Sequence, residues 1–220
     1  MERTASLKTA KFIMGKNFIG HDQLAYISER FGINRRMLEN MKIPELKFPE
    51  SILKENADDY ILILGIQQTD TGRPLTINYM RSTFGVSPAI SEPCFYNQDW
   101  YLNEDFASKF QPENKWYLLK KTVAENSRGV LPDTYTGLST GEVDLPSAVL
   151  CAFAFFASYL VSGGEKLWAD DFVWTSDCDR FGDQIYVGRY FDRLDPSRCG
   201  FNVHRHLKIK SNYGIINSIS

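Results

Sequence analysis

The sequence predicts an α+β fold in which one buried helix packs on antiparallel strands in the C-terminal part of the chain. The first observation is an apolar run over residues 146–161, which opens with a proline suited to a first helical turn and closes before a Gly-Gly pair. The second is a set of short segments after it that are rich in β-branched and aromatic residues, at 172–176, 184–191, 201–209 and 213–219. The third is the run DYILILGI at 59–66, which has the composition of a buried strand.

We expect the chain to divide into a small helical region over 1–46 and an α+β body over 47–220. In the first region, apolar residues at helical spacing predict a helix over 22–31. Gly32 is suited to end that helix in the left-handed conformation, and the asparagine two residues later is suited to cap a second, shorter helix over 35–41. The two helices are therefore predicted to form a corner.

The composition is that of an ordinary soluble domain. Of the 220 residues, 43% are hydrophobic, 24% are charged and 14% are aromatic. The net charge of −2 disfavours a domain whose whole surface binds nucleic acid. The sequence shows neither an apolar leader nor an apolar run long enough for a bilayer, so we expect a cytoplasmic location and no membrane partner. The four cysteines form no C-x-x-C pair and are expected to be reduced.

Part of the chain resembles a family of bacterial proteins of unknown function. The similar segments are WYLNEDF at 100–106, WYLLKK at 116–121 followed by Ser127, LPSA at 145–148 and GEKL at 164–167. They extend over about half of the chain. This resemblance implies a bacterial origin, on a mobile element or a phage, and it implies no activity.

The C-terminal third is similar in motif order to bacterial C-type-lectin-like domains. The motifs are LPS at 145–147 before a helix, FVWTSD at 172–177 and GFNVHR at 200–205. His204 stands where the family pattern continues directly to arginine, and the disulfides of animal lectins are absent. No ligand site is carried over from this family.

A DNA-binding role is one hypothesis, because the second helix of the predicted corner carries Arg35 and Arg36. A helix-turn-helix places such a helix in the major groove, and its basic side chains hold phosphates. The second helix looks too short for a recognition helix, and the net charge is near neutral. DNA binding is therefore kept as an alternative rather than as the leading function.

A metal site is a second hypothesis, because His204 and His206 would lie on one face of a strand. That spacing suits Zn²⁺, and a metal-dependent hydrolase would need an acidic residue such as Asp177 or Asp192 beside the two histidines. We expect no cofactor, with Zn²⁺ as the alternative. The acidic segment 177–183 fits a hairpin turn better than a Ca²⁺ loop, because it lacks two ligands of that pattern.

A contact surface built from aromatic side chains is the third hypothesis. Aromatic side chains near polar residues are common in protein and carbohydrate contact surfaces. The candidate ligand-binding residues are Trp100, Trp116, Trp168 and Trp174. The competing interpretation is that these indoles fill the core of an α+β fold.

The sequence therefore favours a non-catalytic binding or interaction module with an unknown protein or carbohydrate ligand. We find no nucleophile elbow, P-loop or dinucleotide-binding glycine motif. The loop over 124–144, rich in Gly, Ser and Thr, adds to this expectation, because long loops in compact domains are often functional. The metal-dependent hydrolase and the DNA-binding protein remain the alternatives.

Overall fold

The computed structural model describes residues 3–135, 143–195, 198–205 and 209–219. Helices occur together with two mainly antiparallel sheets, which confirms the predicted α+β class. The helices are α1 (Leu7–Met14), α2 (His21–Ile27), α3 (Arg35–Glu39), α4 (Glu50–Asn56), α5 (Ile77–Phe84), α6 (Asp105–Ser108) and α7 (Ala148–Ser162). The strands are β1 (Phe18–Ile19), β2 (Tyr60–Leu64), β3 (Trp116–Lys120), β4 (Phe172–Cys178), β5 (Gln184–Phe191), β6 (Cys199–His204), β7 (Tyr213–Gly214) and β8 (Ser218–Ile219).

The first sheet has the strand order β1-β2-β3-β8. The predicted buried strand is β2, in which every residue is buried and which pairs antiparallel with β3. Strand β1 pairs parallel with β2, so the region predicted as helical also contributes a strand to the body. A strand of two residues is too short to show the two-residue alternation by which strands are predicted.

The second sheet has the strand order β6-β5-β4-β7. Strands β4, β5 and β6 form the predicted antiparallel meander. The predicted final strand over 213–219 is wrong as a single element, because it divides between the sheets. Strand β7 pairs parallel with β4, and β8 pairs antiparallel with β3 in the first sheet. The chain passes between the two sheets at Ile215 and Ile216, whose burial accounts for the apolar residues between the two strands.

Helix α7 is the predicted central helix. It begins after Ser147, whose side chain accepts a hydrogen bond from the Leu150 backbone N–H, and it ends at Gly163, in the left-handed conformation. Pro146 lies just before the cap rather than in the first turn. The residues from 148 to 158 are all buried, and the helix contacts β1 of the first sheet and both β4 and β5 of the second. An apolar helix surrounded in this way forms the centre of the core.

The predicted corner is confirmed. After α2 a short 3₁₀ turn leads to Gly32 in the left-handed conformation, and the Asn34 side chain accepts a hydrogen bond from the Arg36 N–H at 2.9 Å. Buried Leu24 and Leu38 hold the two helices against the body. The predicted 124–144 loop contains 3₁₀ turns at Glu125–Ser127 and Pro132–Thr134, and residues 136–142 lie outside the described residues. No helix in the described ranges combines the length and apolar character needed to span a bilayer.

Candidate functional site

The outer face of the second sheet carries a cluster of aromatic side chains. Successive side chains of a strand point to opposite faces, so the valines of β4, β5 and β6 face the core and the aromatic residues between them face away from it. The strand registers place Trp174 opposite Tyr186, Tyr186 opposite His204, and Phe172 opposite Tyr213. We call Phe172, Trp174, Tyr186 and Tyr213 the outer aromatic cluster.

Tyr186 lies at the centre of this cluster. Its ring centroid is 4.9 Å from that of Trp174 and 4.8 Å from that of Tyr213. The His204 imidazole stacks on the same tyrosine at 5.8 Å, with an interplanar angle of 22°. His204 and the cluster together therefore place imidazole, phenol and indole groups side by side on the outer face of the sheet.

A cleft of about 420 Å³ opens beside the cluster. Aromatic side chains, three basic residues and His204 form most of its lining. We call it the basic cleft, and its lining residues are Ala169, Asp170, Phe172, Arg189, Tyr190, Phe191, Arg193, His204, Lys210, Asn212 and Tyr213.

Two of the basic side chains have no acidic partner in the part of the chain that the structure describes. Arg193 and Lys210 have no carboxylate of a described residue within ion-pair distance. Arg189 differs, because its Nη2 lies 3.2 Å from Glu92 Oε1. Asp170 is the one acidic residue among the described lining residues, so the cleft carries a net positive charge.

His204 is partly buried in the wall of the basic cleft. Burial lowers the pKa of its imidazole, and the positive charge of Lys210 lowers it further. The ring is therefore neutral near pH 7, with one nitrogen able to donate a hydrogen bond and the other able to accept one. The cleft can thus hold an anion on two cations, place a flat group against aromatic rings and offer hydrogen bonds from a neutral imidazole.

The residues predicted for a metal-dependent hydrolase are not brought together. Asp177 lies on the α7 side of the second sheet, where its Oδ2 accepts a hydrogen bond from the Ala148 N–H at 2.6 Å, whereas His204 lies on the outer face. Asp192 accepts a hydrogen bond from the Leu194 N–H at the opposite end of β6. His206 lies outside the described residues. Within the described ranges, no group of three His, Cys, Asp or Glu side chains is arranged to hold a metal ion.

The acidic segment after β4 is a hairpin turn, as its composition predicts. The Asp179 carboxylate accepts hydrogen bonds from the N–H groups of Phe181 and Asp183 and forms an ion pair with Arg205. Its oxygens therefore satisfy the turn and an arginine. Burial and the surrounding carboxylates raise the pKa of the neighbouring Cys178 thiol, which makes it a weak nucleophile near neutral pH.

The four predicted tryptophans do not share a surface. Trp116 and Trp168 are buried in the main core, where their indole N–H groups donate to the carbonyl oxygens of Pro44 and Lys120. Trp100 is partly buried and donates to the Val203 carbonyl. Trp174 is buried in the outer aromatic cluster.

An aromatic contact surface made of these four residues is therefore not formed, because core packing and backbone hydrogen bonds occupy most of the indole area. Trp174 is the one member of the set that lies on the same face as the cleft.

The predicted DNA-binding residues lie on a solvent-exposed helix. Arg35 and Arg36 belong to α3, which has five residues, and the Arg35 guanidinium forms an ion pair with Glu39 at 3.0 Å. Five residues rise about 7.5 Å, which gives a recognition helix little more than one turn to place in a groove. The DNA-binding hypothesis gains no support from this geometry.

Sequence reasoning missed the cationic residues of the basic cleft, Arg193 and Lys210, because each lies on a loop at the edge of the sheet. A signal for the cleft was present in the two-residue alternation of β4 and β5, which puts aromatic residues on one face of both strands. Comparison with protein-family models, with curated proteins and with solved structures finds no match for this chain.

Proposed function

We propose that this protein is a non-catalytic binding module that holds a small anionic ligand in the basic cleft. One observation carries the proposal: Arg193 and Lys210 line a single concave site and have no carboxylate partner among the described residues. Aromatic content alone predicts a protein or carbohydrate ligand, whereas these two cations favour an anion. A bacterial origin and a cytoplasmic location belong to the same proposal and are supported only by the sequence.

Two like charges beside one cleft repel each other, and an anion between them removes that repulsion. The gain is larger in a cleft than on a flat surface, because walls of low polarity strengthen the field inside it. Phe172 and Tyr213, both nearly buried, supply such walls. Asp170 offsets part of the positive charge, but the basic lining residues outnumber it, so that the cleft still favours an anion.

Isothermal titration calorimetry at low salt tests the proposal with three anions: inorganic phosphate, ribose 5-phosphate and AMP. We expect at least one of them to bind, and we expect the Arg193→Ala/Lys210→Ala variant to bind it at least about tenfold more weakly. The matched control is Arg35→Ala/Arg36→Ala, which removes the same charge on the exposed helix α3 and should bind as the wild type does. Absence of binding at millimolar concentrations, or equal losses in the two double variants, would refute the proposal.

A further inference from the structure

The charge of the basic cleft matches a phosphate monoester better than a carboxylate. Arg193 and Lys210 together carry two positive charges. A phosphate monoester carries about −1.5 to −2 at neutral pH and offers three oxygens, whereas a carboxylate carries a single charge. A guanidinium binds two phosphate oxygens at once and an ammonium binds as a point charge, so this pair suits a phosphate group.

The aromatic part of the cleft offers room for a flat ring. Tyr190 lies on the outer face of β5 and is partly exposed, so part of its ring remains open to a ligand. Phe172 and Tyr213 are nearly buried and contribute to the walls below. Aromatic side chains with uncovered area beside cations are the usual support for a nucleobase, because every base has a flat π face.

The size of the cleft allows both parts to bind together. Its volume of about 420 Å³ falls within the range of small-molecule sites, about 300–1,000 Å³. Inorganic phosphate would contact only the basic residues of the cleft and would leave the aromatic residues in contact with water. A ligand that joins a phosphate to a planar ring uses the whole lining.

Two hydrogen-bond acceptors line the same cleft. Asp170 supplies a carboxylate, and Asn212 donates its Nδ2–H to the Asp170 carbonyl oxygen at 3.1 Å, which keeps its Oδ1 as an acceptor. Because these protein groups accept hydrogen bonds, they favour a ligand ring that carries hydrogen-bond donors at its edge. An exocyclic amino group provides such donors, and a ring carbonyl at the same position provides none.

We infer that the ligand of the basic cleft is a mononucleotide whose base carries an exocyclic amino group. Its phosphate lies between Arg193 and Lys210, and its base stacks on Tyr190 with the amino edge towards Asp170. This inference rests on the proposed function, since it requires that the cleft binds anions. It adds the class of the ligand and assigns separate roles to the cationic and the aromatic parts of the lining.

Calorimetry with AMP, inosine monophosphate, ribose 5-phosphate and inorganic phosphate tests the inference on the wild-type chain. We expect AMP to bind about 5- to 100-fold more tightly than ribose 5-phosphate, the range that stacking of one base supplies. Inosine monophosphate, which has a carbonyl in place of the amino group, should bind at least about threefold more weakly than AMP. If ribose 5-phosphate binds as tightly as AMP, the inference is wrong while the proposed function stands; if none of the four anions binds, both are wrong.

A variant of the stacking surface gives an independent readout. Tyr190→Ala should weaken AMP binding at least about fivefold and should leave ribose 5-phosphate binding within about twofold, because it removes ring contact and no charge. Tyr26→Ala is the matched control, since Tyr26 is 82% exposed on α2 and does not line the cleft. Equal affinities of the Tyr190→Ala and Tyr26→Ala variants for AMP would overturn the placement of the base.

Discussion

The two faces of the second sheet are built from alternate residues of the same strands. They differ in the types of side chain that they carry and in the elements that pack against them. The inner face consists mainly of valines with Phe201, and the regular helix α7 lies over it. The outer face carries the outer aromatic cluster and His204, with Tyr135, Ile209 and other side chains of irregular segments packed against it. The inner face is closed along its length, whereas the basic cleft opens beside the outer one.

This difference shows how one sheet can serve both stability and binding. A helix presents a continuous surface that packs into a sheet without leaving polar atoms unpaired. Loops of unequal length leave gaps at their margins. Tyrosine, tryptophan and histidine side chains tolerate such gaps, because their hydroxyl or ring N–H groups can form hydrogen bonds with water while the rest of the ring stays packed. We therefore expect substitutions on the inner face to act on folding and substitutions on the outer face to act on binding.

The largest effect is expected from Phe156→Ala, in the core below the inner face. The Phe156 ring is fully buried and stacks on Phe84 at 4.2 Å and on Phe95 at 4.8 Å between ring centroids. Removing it leaves a cavity, so the free energy of unfolding should fall by about 3–5 kcal/mol. Tyr190→Ala, on the outer face, should lower it by less than about 2 kcal/mol, because the Tyr190 ring is partly exposed. Urea denaturation measures both, and equal losses would contradict the division between the two faces.

An intermediate effect is expected at Asp177, the acidic residue at the α7 end of the inner face. Burial raises the pKa of this carboxyl, and the hydrogen bond from the Ala148 N–H partly offsets the rise. Asp177→Ala leaves that buried N–H without its acceptor and should lower the free energy of unfolding by about 1–3 kcal/mol. Asp177→Asn keeps an oxygen acceptor and removes a poorly solvated charge, so its loss at neutral pH should be smaller.

The pH dependence at Asp177 follows from the direction of the shift. A carboxyl whose pKa is raised in the folded state favours folding when it is protonated, and this contribution is lost as the pH rises through the folded-state pKa. The Asp177→Asn variant should therefore lose less stability than the wild type as the pH rises through that range. Denaturation of both proteins across the acidic range measures this, and parallel curves would contradict it.

The smallest effect is expected at His204 on the outer face. Its pKa is lowered in the folded state, so the unfolded chain takes up a proton first as the pH falls, and stability is lost below the unfolded-state pKa of about 6.5. Burial and the positive charge of Lys210, which lines the same cleft, both oppose protonation of the imidazole. Between about pH 7.5 and about pH 5.5, His204→Gln should lose less stability than the wild type. An identical loss in both would show that the imidazole titrates as it does in the unfolded chain.

Local patterns were sufficient to predict much of the fold. The apolar run predicts α7, the β-branched run predicts β2, and Gly32 and Asn34 predict the corner, because each depends on residues close in sequence. The sheet partners of β1, β7 and β8 were not predictable in this way. Strands of two residues carry no alternation, and their pairing depends on contacts between segments far apart in the chain.

The candidate site was harder to predict for the same reason. The four tryptophans were candidates because of their residue type, but Trp116 and Trp168 fill the core. Sequence alone does not show which face of a strand or loop is covered by other parts of the chain. Arg193 and Lys210 are unremarkable as single loop residues. They become a site only because the β5–β6 hairpin and the return to β7 bring them beside the same aromatic rings.

The division of the chain's last strands between the two sheets sets an order for assembly during synthesis. Strand β7 pairs with Phe172 and Val173 in the second sheet, and β8 pairs with Leu118 and Leu119 in the first. One stretch of seven residues, 213–219, thus supplies an edge to each sheet. Neither sheet can be complete on the ribosome until that stretch has emerged, so the edge pairings of both sheets form only after the strands before them have been synthesised.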